Sequence, residues 1–189
     1  MCAFFSTAPS WRIDMGAIYL IRHGQASFGA RDYDLLSATG ARQATVLGAS
    51  LKQRVAAVDT VLCGSMRRHQ QTADGALRAM EVPPQWEEDA GWNEYDHVAV
   101  LAAYQPRWAD QSAMKAELAA LPNARAIFQQ EFEKAIARWV GGLHNDDYPE
   151  SWAGFCSRIE QALLRLRERL GKSQTALVFT SGGPITAVV

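Results

Sequence analysis

The sequence predicts an α/β fold, specifically a three-layer α/β/α sandwich with a mostly parallel sheet and a helical insert. Three short apolar runs carry this prediction, because each has the length of a buried strand and each ends at a polar turn. The runs are AIYLI at 17–21, VDTVLC at 58–63 and ALVFT at 176–180. Helical patterns follow the first two runs, and this β-α-β-α alternation is typical of a parallel sheet covered by helices.

The first two helices follow their strands closely. Ser37 suits an N-cap, and the apolar residues after it recur at helical spacing, at Ala44, Leu47, Leu51 and Val55. Gly64-Ser65 is predicted as the exit turn of the second strand, with a helix from Met66 to Met80 after it.

Two further helical regions are predicted before the last strand. Residues 97–145 show helical spacing without a strand signal, at Ile127, Phe128, Phe132, Ile136, Trp139 and Leu143. A strong helix that packs on the sheet is predicted from the apolar stripe Trp152, Phe155, Ile159, Leu163, Leu166 and Leu170.

The length of 189 residues predicts one domain. We expect residues 1–14 to be a loose N-terminal extension and residues 15–189 to form a single domain, with the helical insert at about 90–150. The chain stops soon after Pro184, which predicts a short C-terminus with an exposed apolar end, Ile185–Val189. Such an end favours a homodimer or instability.

Charge and composition exclude several classes of function. Nineteen basic against twenty acidic residues give a net charge of -1, so we expect no nucleic-acid partner and no acidic membrane surface. No apolar run approaches the roughly 20 residues that cross a bilayer, and the N-terminus lacks the order of a signal peptide. Three separated cysteines fit a reducing compartment, and we expect a cytoplasmic protein.

The turn after the first strand, Arg22-His23-Gly24-Gln25, holds residues suited to phosphate chemistry. Ligands of open α/β sheets bind at the carboxyl ends of the strands. A guanidinium matches phosphate oxygens, and a neutral imidazole is a good nucleophile near neutral pH. Glycine lets the backbone approach a bound anion. The alternative is that Arg22 and His23 are an exposed loop pair.

A second cationic turn follows the second strand, where GSMRRHQQTA places Arg67 and Arg68 in the first turn of a helix. Cations oppose the helix dipole at this end, so an anionic ligand is expected there. One of the two arginines is therefore predicted to bind phosphate.

Together these stretches resemble the histidine phosphatase superfamily, also called the phosphoglycerate mutase-like family. LIRHGQASFGARDYDLLSATGARQA matches its Arg-His-Gly signature and the helix start that follows, at Asp34, Leu36 or its neighbour, Ser37, Gly40, Gln43 and Ala44. The R-x-x-Q-T-A signature is matched by Arg68, Gln71, Thr72 and Ala73. The resemblance implies a phosphoglycerate mutase-like fold, selects Arg68 as the phosphate ligand, and leaves Arg67 as a solvated neighbour.

The resemblance also implies an acid that protonates the leaving oxygen, drawn from a carboxyl group in an L-x-E-like segment. WNEYDH supplies Glu94 in this position, with Trp92 where the family usually has leucine. The competing carboxylates are Glu87, Glu88, Asp89 and Asp96. Glu94 is the predicted acid, and its alternative is a surface carboxylate.

The chain departs from the family in its last signature. A His-Gly-Gly-like turn usually follows the final strand, but VFTSGGPI places Ser181 where the second histidine would lie. Ser181 donates one hydrogen bond without carrying a charge. Pro184 suits the first position of a helix, so Gly182 and Gly183 are expected to offer amides to an anion. The candidate substitutes for the missing imidazole are His97, His69 and His144, although none matches its position.

The predicted protein is thus a metal-independent phosphatase that needs no cofactor, acting on a small phosphorylated substrate through a phosphohistidine intermediate on His23. Arg22, Arg68 and Glu94 complete the predicted catalytic set, and Gly24, Gln25, Ser181 and Gly182 are predicted to bind substrate. The alternative, motivated by Ser181 and the short C-terminus, is a non-catalytic descendant that binds a phosphoanion or a protein. A phosphoglycerate mutase is less favoured, because nothing in the chain identifies a phosphoglycerate site.

Overall fold

The computed structural model of the chain describes residues 16–27 and 34–189. The predicted extension at 1–14 lies outside these residues. The sheet has four strands, and every pair is parallel, in the order β1-β4-β2-β3. The strands are β1 Ala17–Arg22, β2 Thr60–Cys63, β3 Glu87–Glu88 and β4 Thr175–Thr180. The predicted α/β class with a mostly parallel sheet is confirmed.

Seven α-helices form in the described part of the chain: α1 Ala38–Arg54, α2 Arg67–Met80, α3 His97–Tyr104, α4 Gln111–Ala119, α5 Ala124–Val140, α6 Trp152–Arg169 and α7 Gly182–Val188. Ser37 caps α1 as predicted, because its side chain accepts a hydrogen bond from Gly40 N. No helix in this part is long and apolar enough to cross a membrane.

The apolar residues divide into two clusters, one for each face of the sheet. Helices α1 and α2 supply Leu51, Leu77 and Met80, and Val55 follows the end of α1, in a cluster that includes Leu177 and Phe179 of β4. The other cluster contains Val178 of β4 and residues of the insert and α6, among them Trp92, Trp139, Phe155, Ile159 and Leu166. The central strand β4 is therefore covered on both faces, as a parallel sheet requires.

Three details of the sequence prediction are wrong. Leu143 lies beyond the end of α5 and is 88% exposed, so it does not belong to the apolar stripe of that helix. Helix α7 begins at Gly182, which makes Pro184 its third residue instead of its first. Of the apolar end, Ala187 and Val188 pack against the core, and only Val189 is fully exposed.

Candidate active site

The turns after β1, β2 and β4 meet at one edge of the sheet, because these strands are neighbours and run in the same direction. Backbone hydrogen bonds continue the ladders into the turns: His23 N donates to Thr180 O at 2.9 Å, and Gly64 N donates to Phe179 O at 3.0 Å. Residues that are far apart in the sequence, such as His23 and Ser181, are thereby brought to adjacent positions at the carboxyl ends of the strands.

The imidazole of His23 is fixed in one tautomer. Its Nδ1 lies 2.7 Å from the carbonyl oxygen of Gly24, and a carbonyl only accepts, so Nδ1 carries the hydrogen. Nε2 then has a free lone pair, which accepts a hydrogen bond from Arg68 Nε at 3.2 Å. Burial lowers the pKa of His23 below its ordinary value of 6.5. The hydrogen bond to Gly24 raises this pKa, but by less than burial lowers it. Neutral imidazole, with Nε2 available as a base or nucleophile, is the favoured form.

The guanidinium of Arg68 is nearly buried, with 7% of the residue exposed. It contacts His23 through Nε, and its second nitrogen donates to Asp34 Oδ1 at 2.6 Å. Asp34 also accepts a hydrogen bond from the backbone N–H of Arg67 at 2.8 Å, at the start of α2. Asp34 therefore supplies the negative charge expected at this helix end. Asp34 belongs to the family signature matched by the sequence, but the sequence alone indicated no role for it.

Thr72 joins the His23 turn to α2. Its hydroxyl donates to Arg68 O at 2.7 Å and accepts from Gly24 N at 3.1 Å. The hydroxyl thus satisfies the carbonyl one helical turn earlier in α2 and a backbone N–H in the loop after β1. Thr72 was likewise quoted in the signature without a role.

Gly24 packs closely against the start of α1. A Cβ atom at this position would lie 2.5 Å from the carbonyl oxygen of Gly40, so the glycine permits the loop to pack on the start of α1. Gln25 is exposed, and its Oε1 accepts from Ser37 Oγ at 2.9 Å while its backbone N–H donates to Gln43 Oε1 at 2.8 Å.

Glu94 reaches the turn after β4. Its Oε2 accepts a hydrogen bond from Gly183 N at 3.1 Å, and its Oε1 accepts from Tyr95 N at 3.2 Å. Burial raises the pKa of Glu94 above its ordinary value of 4.5, while these two amide hydrogen bonds and the charges of Arg68 and Arg22 oppose the rise. A carboxyl group in such surroundings holds a proton at higher pH than an exposed one. The Gly183 amide, which was expected to face a bound anion, is thus used by Glu94.

The four competing carboxylates are engaged elsewhere. Glu87 pairs with Arg169 at 2.6 Å, and Glu88 accepts from Gln70. Asp89 pairs with Arg165 at 2.9 Å, and Asp96 caps α3 by accepting from two backbone amides.

The segment that carries Glu94 is attached to the end of β4 through the buried residue Trp92. Its carbonyl oxygen accepts a hydrogen bond from Thr180 Oγ1 at 2.5 Å.

The other residues of the β4 turn lie near the cationic groups. Gly182 is close to Arg22, since a Cβ atom on this glycine would be 3.7 Å from Arg22 Nε. Ser181 is 0% exposed, and its Oγ lies 2.6 Å from Nε2 of His69. The three named substitutes for the missing histidine therefore differ: His69 contacts Ser181, His97 begins α3, and His144 is exposed after α5.

A cleft opens beside these groups. Its described lining includes Arg22, His23 and Thr72, together with Gln43 and Leu47 of α1. The arrangement places a neutral imidazole, two guanidinium groups and a carboxyl group with a raised pKa at one edge of the sheet. These groups are suited to binding a phosphoryl group, attacking it and moving a proton.

Comparisons with known proteins identify the family and the fold. Residues 18–120 match the model of the "Histidine phosphatase superfamily (branch 1)". A comparison with curated protein sequences gives no match. Solved structures with the same fold include phosphoglycerate mutase from Bacillus anthracis, with 19% identity and a TM-score of 0.61 over 90% of this chain and 77% of that one.

Two phosphatases also share the fold. Mycobacterial glucosyl-3-phosphoglycerate phosphatase is 16% identical, with a TM-score of 0.56 over 89% of this chain and 75% of that one. The protein histidine phosphatase SixA, in a complex with tungstate, is 12% identical, with a TM-score of 0.51 over 90% of this chain and 73% of that one. At these identities the likeness concerns the fold.

Proposed function

The chain belongs to the histidine phosphatase superfamily, and we propose that it hydrolyses a small phosphate monoester through a phosphohistidine intermediate on His23. The observation that carries this proposal is the fixed tautomer of His23. Its Nδ1–H is used by the Gly24 carbonyl, so the Nε2 lone pair points toward Arg68, a group that attracts phosphoryl oxygens.

In the first step, Arg68 and Arg22 bind the phosphoryl oxygens. The hydrogen bond from Arg68 Nε to His23 Nε2 gives way, because Nε2 needs its lone pair to attack phosphorus. Nε2 then forms the bond to phosphorus while the bond from phosphorus to the ester oxygen breaks. Glu94 gives its proton to that oxygen, and the alcohol leaves.

In the second step, water attacks the phosphorus atom of phosphohistidine. The Glu94 carboxylate takes a proton from the water, the bond between phosphorus and Nε2 breaks, and inorganic phosphate leaves. His23 is again neutral and Glu94 again protonated. Positioning and charge stabilisation are expected to supply most of the acceleration.

The direct test measures hydrolysis of 4-nitrophenyl phosphate by the wild-type protein and by His23→Ala, from pH ~5 to 8. We expect turnover in the wild type and its loss in His23→Ala. The matched control is His144→Ala, which removes an exposed imidazole after α5. Turnover retained in His23→Ala would exclude His23 as the nucleophile, and a phosphoryl group trapped on the His23 peptide in a base quench would support it.

The alternative function is binding of a phosphoanion or protein without turnover. It is favoured by the serine at position 181 and by the engagement of Arg68 with Asp34. Absence of turnover in both the wild type and His23→Ala, together with inorganic phosphate binding that is lost in Arg68→Ala, would support this alternative. No observation in the chain favours a mutase.

A further inference from the structure

His69 lies in the protein interior beside the proposed nucleophile. It follows Arg68 in the first turn of α2 and is 0% exposed. The centroid of its ring is 5.7 Å from that of His23, and its Nε2 lies 2.6 Å from Ser181 Oγ. An imidazole from α2 is thus adjacent both to His23 and to the serine that replaces the expected histidine.

The turn after β2 leaves room for this ring. A Cβ atom on Gly64 would lie 2.3 Å from Nδ1 of His69, well inside any real contact distance. A side chain at position 64 would therefore displace the ring. Gly64 lies in the turn after β2, His69 in the helix that follows this turn, and Ser181 in the turn after β4, and the contact between His69 and Ser181 depends on all three positions.

The hydrogen bonding of His69 favours one tautomer. Nδ1 is buried and has no hydrogen-bond partner among the described residues. If Nδ1 carried the hydrogen, a buried N–H donor would be unsatisfied, which is rarer and more costly than an unused lone pair. The hydrogen therefore belongs on Nε2, which donates to Ser181 Oγ. The hydroxyl hydrogen of Ser181 is then directed away from His69 and remains available to another acceptor.

We propose that His69 is a positioning residue for phosphoryl transfer: it orients the Ser181 hydroxyl so that this group donates a hydrogen bond to a phosphoryl oxygen held at His23. The proposal rests on the function proposed above. Two side chains, one from α2 and one from the β4 turn, would then do together what the family signature assigns to one histidine in the turn.

The surroundings strengthen this role. Both side chains are shielded from water, and a fixed hydroxyl dipole stabilises an anion more effectively in a dry site than in solvent. The burial also keeps His69 neutral, since it lowers the pKa of this residue to about 3. The positive charge beside the phosphoryl group is left to Arg68 and Arg22.

A double-mutant cycle tests whether His69 acts through Ser181. The variants are His69→Leu, Ser181→Ala and the double variant, with kcat and KM for 4-nitrophenyl phosphate and the Kd for orthovanadate, a mimic of the transferring phosphoryl group, as readouts. Losing one oxyanion donor costs on the order of 10²-fold in kcat, so we expect about that loss in Ser181→Ala. His69→Leu should lower kcat in the wild type but have little further effect in Ser181→Ala.

The conservative variant His69→Gln separates orientation from packing. Its amide N–H reaches the position of Nε2, so it can donate to Ser181, whereas leucine fills similar space without a donor. We expect His69→Gln to recover most of the kcat that His69→Leu loses. Equal kcat in these two variants, or equal losses from His69→Leu with and without Ser181, would overturn the proposal.

The experiment still tests the proposal if His69→Leu does not fold or if the wild-type protein has no turnover. If His69→Leu does not fold, unchanged kcat and vanadate affinity in Ser181→Ala would refute the proposal, because this variant removes a single oxygen atom. If the wild-type protein has no turnover, the proposed function fails, but vanadate affinity still tests the pair. Weaker binding in both single variants without an added effect in the double variant would support the pair, and unchanged binding would refute it.

The swap variant His69→Ala/Ser181→His asks whether the two positions share one task. Because His69 fills the space next to Ser181, Ser181→His alone has no room for a second ring. We expect the single variant to be unstable and poorly active, and the swap to be more stable and more active. A single variant as active as the swap would contradict the shared space.

Discussion

Replacing His69 with glutamine should remove a large part of the acid sensitivity of the fold. The imidazole of His69 is fully buried, and burial, assisted by the charges of Arg68 and His23, lowers its pKa from the ordinary 6.5 to about 3. The unfolded chain therefore binds a proton at this residue more readily than the folded chain does. Stability from the neutral residue is fully present above pH 6.5 and declines as the pH falls toward 3.

The size of the effect follows from the two pKa values. A shift from 6.5 to about 3 corresponds to roughly 4 to 5 kcal/mol over the whole window. Between pH 7 and pH 5 the expected loss from this residue is about 2 kcal/mol, because the unfolded histidine becomes protonated while the folded one stays neutral. Glutamine cannot titrate, so the variant should lack this component.

The measurement is urea unfolding of the wild type and His69→Gln at pH 7, 6 and 5. Other groups that titrate are common to both proteins, so the difference in pH dependence isolates His69. His144→Gln, which removes an exposed imidazole, should follow the wild type. If the free energies of unfolding of the wild type and His69→Gln fall in parallel with pH, to within about 0.5 kcal/mol, the prediction that His69 stays neutral in the folded protein is wrong.

Three other predictions concern the site. Glu94→Gln should slow hydrolysis of an alkyl phosphate far more than that of 4-nitrophenyl phosphate, whose leaving group needs no proton; equal losses would exclude Glu94 as the acid. The pH profile of kcat/KM should be bell-shaped. Its acid limb, where His23 becomes protonated, should have its midpoint below the ordinary histidine value of 6.5, and its alkaline limb, where Glu94 loses its proton, should have its midpoint above the ordinary glutamate value of 4.5. An acid limb with a midpoint above 6.5 would contradict the lowered pKa of His23. Thr72→Val should cost about 1–3 kcal/mol in urea unfolding, because the buried Gly24 N–H loses its acceptor, and an unchanged midpoint would show that another group replaces it.

The strands could be predicted to different degrees. β1, β2 and β4 each contain a short, mainly apolar run, and in the central strand β4 burial on both faces of the sheet produces that pattern. β3 consists of Glu87 and Glu88, which are exposed and pair with β2 through their backbone. A two-residue strand of charged side chains has no hydrophobic period, so the sequence could not reveal it.

The candidate site was predictable where the chemistry lies in a local motif. The positions of His23 and Arg68 at one sheet edge follow from parallel strands ending in polar turns. Glu94 was indicated only by the family resemblance. The partnership between His69 and Ser181 joins residues 112 positions apart, and it depends on the direction in which the His69 ring points from α2. The spacing of residues along the sequence does not show that a side chain of α2 points toward the turn after β4.

The hydrogen bonds of Arg68 suggest how substrate binding and activation of the nucleophile are linked. Among the described residues, Arg68 donates to the carboxylate of Asp34 at 2.6 Å and to the neutral Nε2 of His23 at 3.2 Å, which are acceptors of unequal strength. A charge-assisted hydrogen bond is roughly twice as strong as a neutral one. In the proposed mechanism, an arriving phosphoryl anion is therefore expected to displace His23 before it displaces Asp34. The contact expected to yield first is the one that must break for Nε2 to attack, so the proposed mechanism predicts that the anion bound by Arg68 also frees the nucleophile.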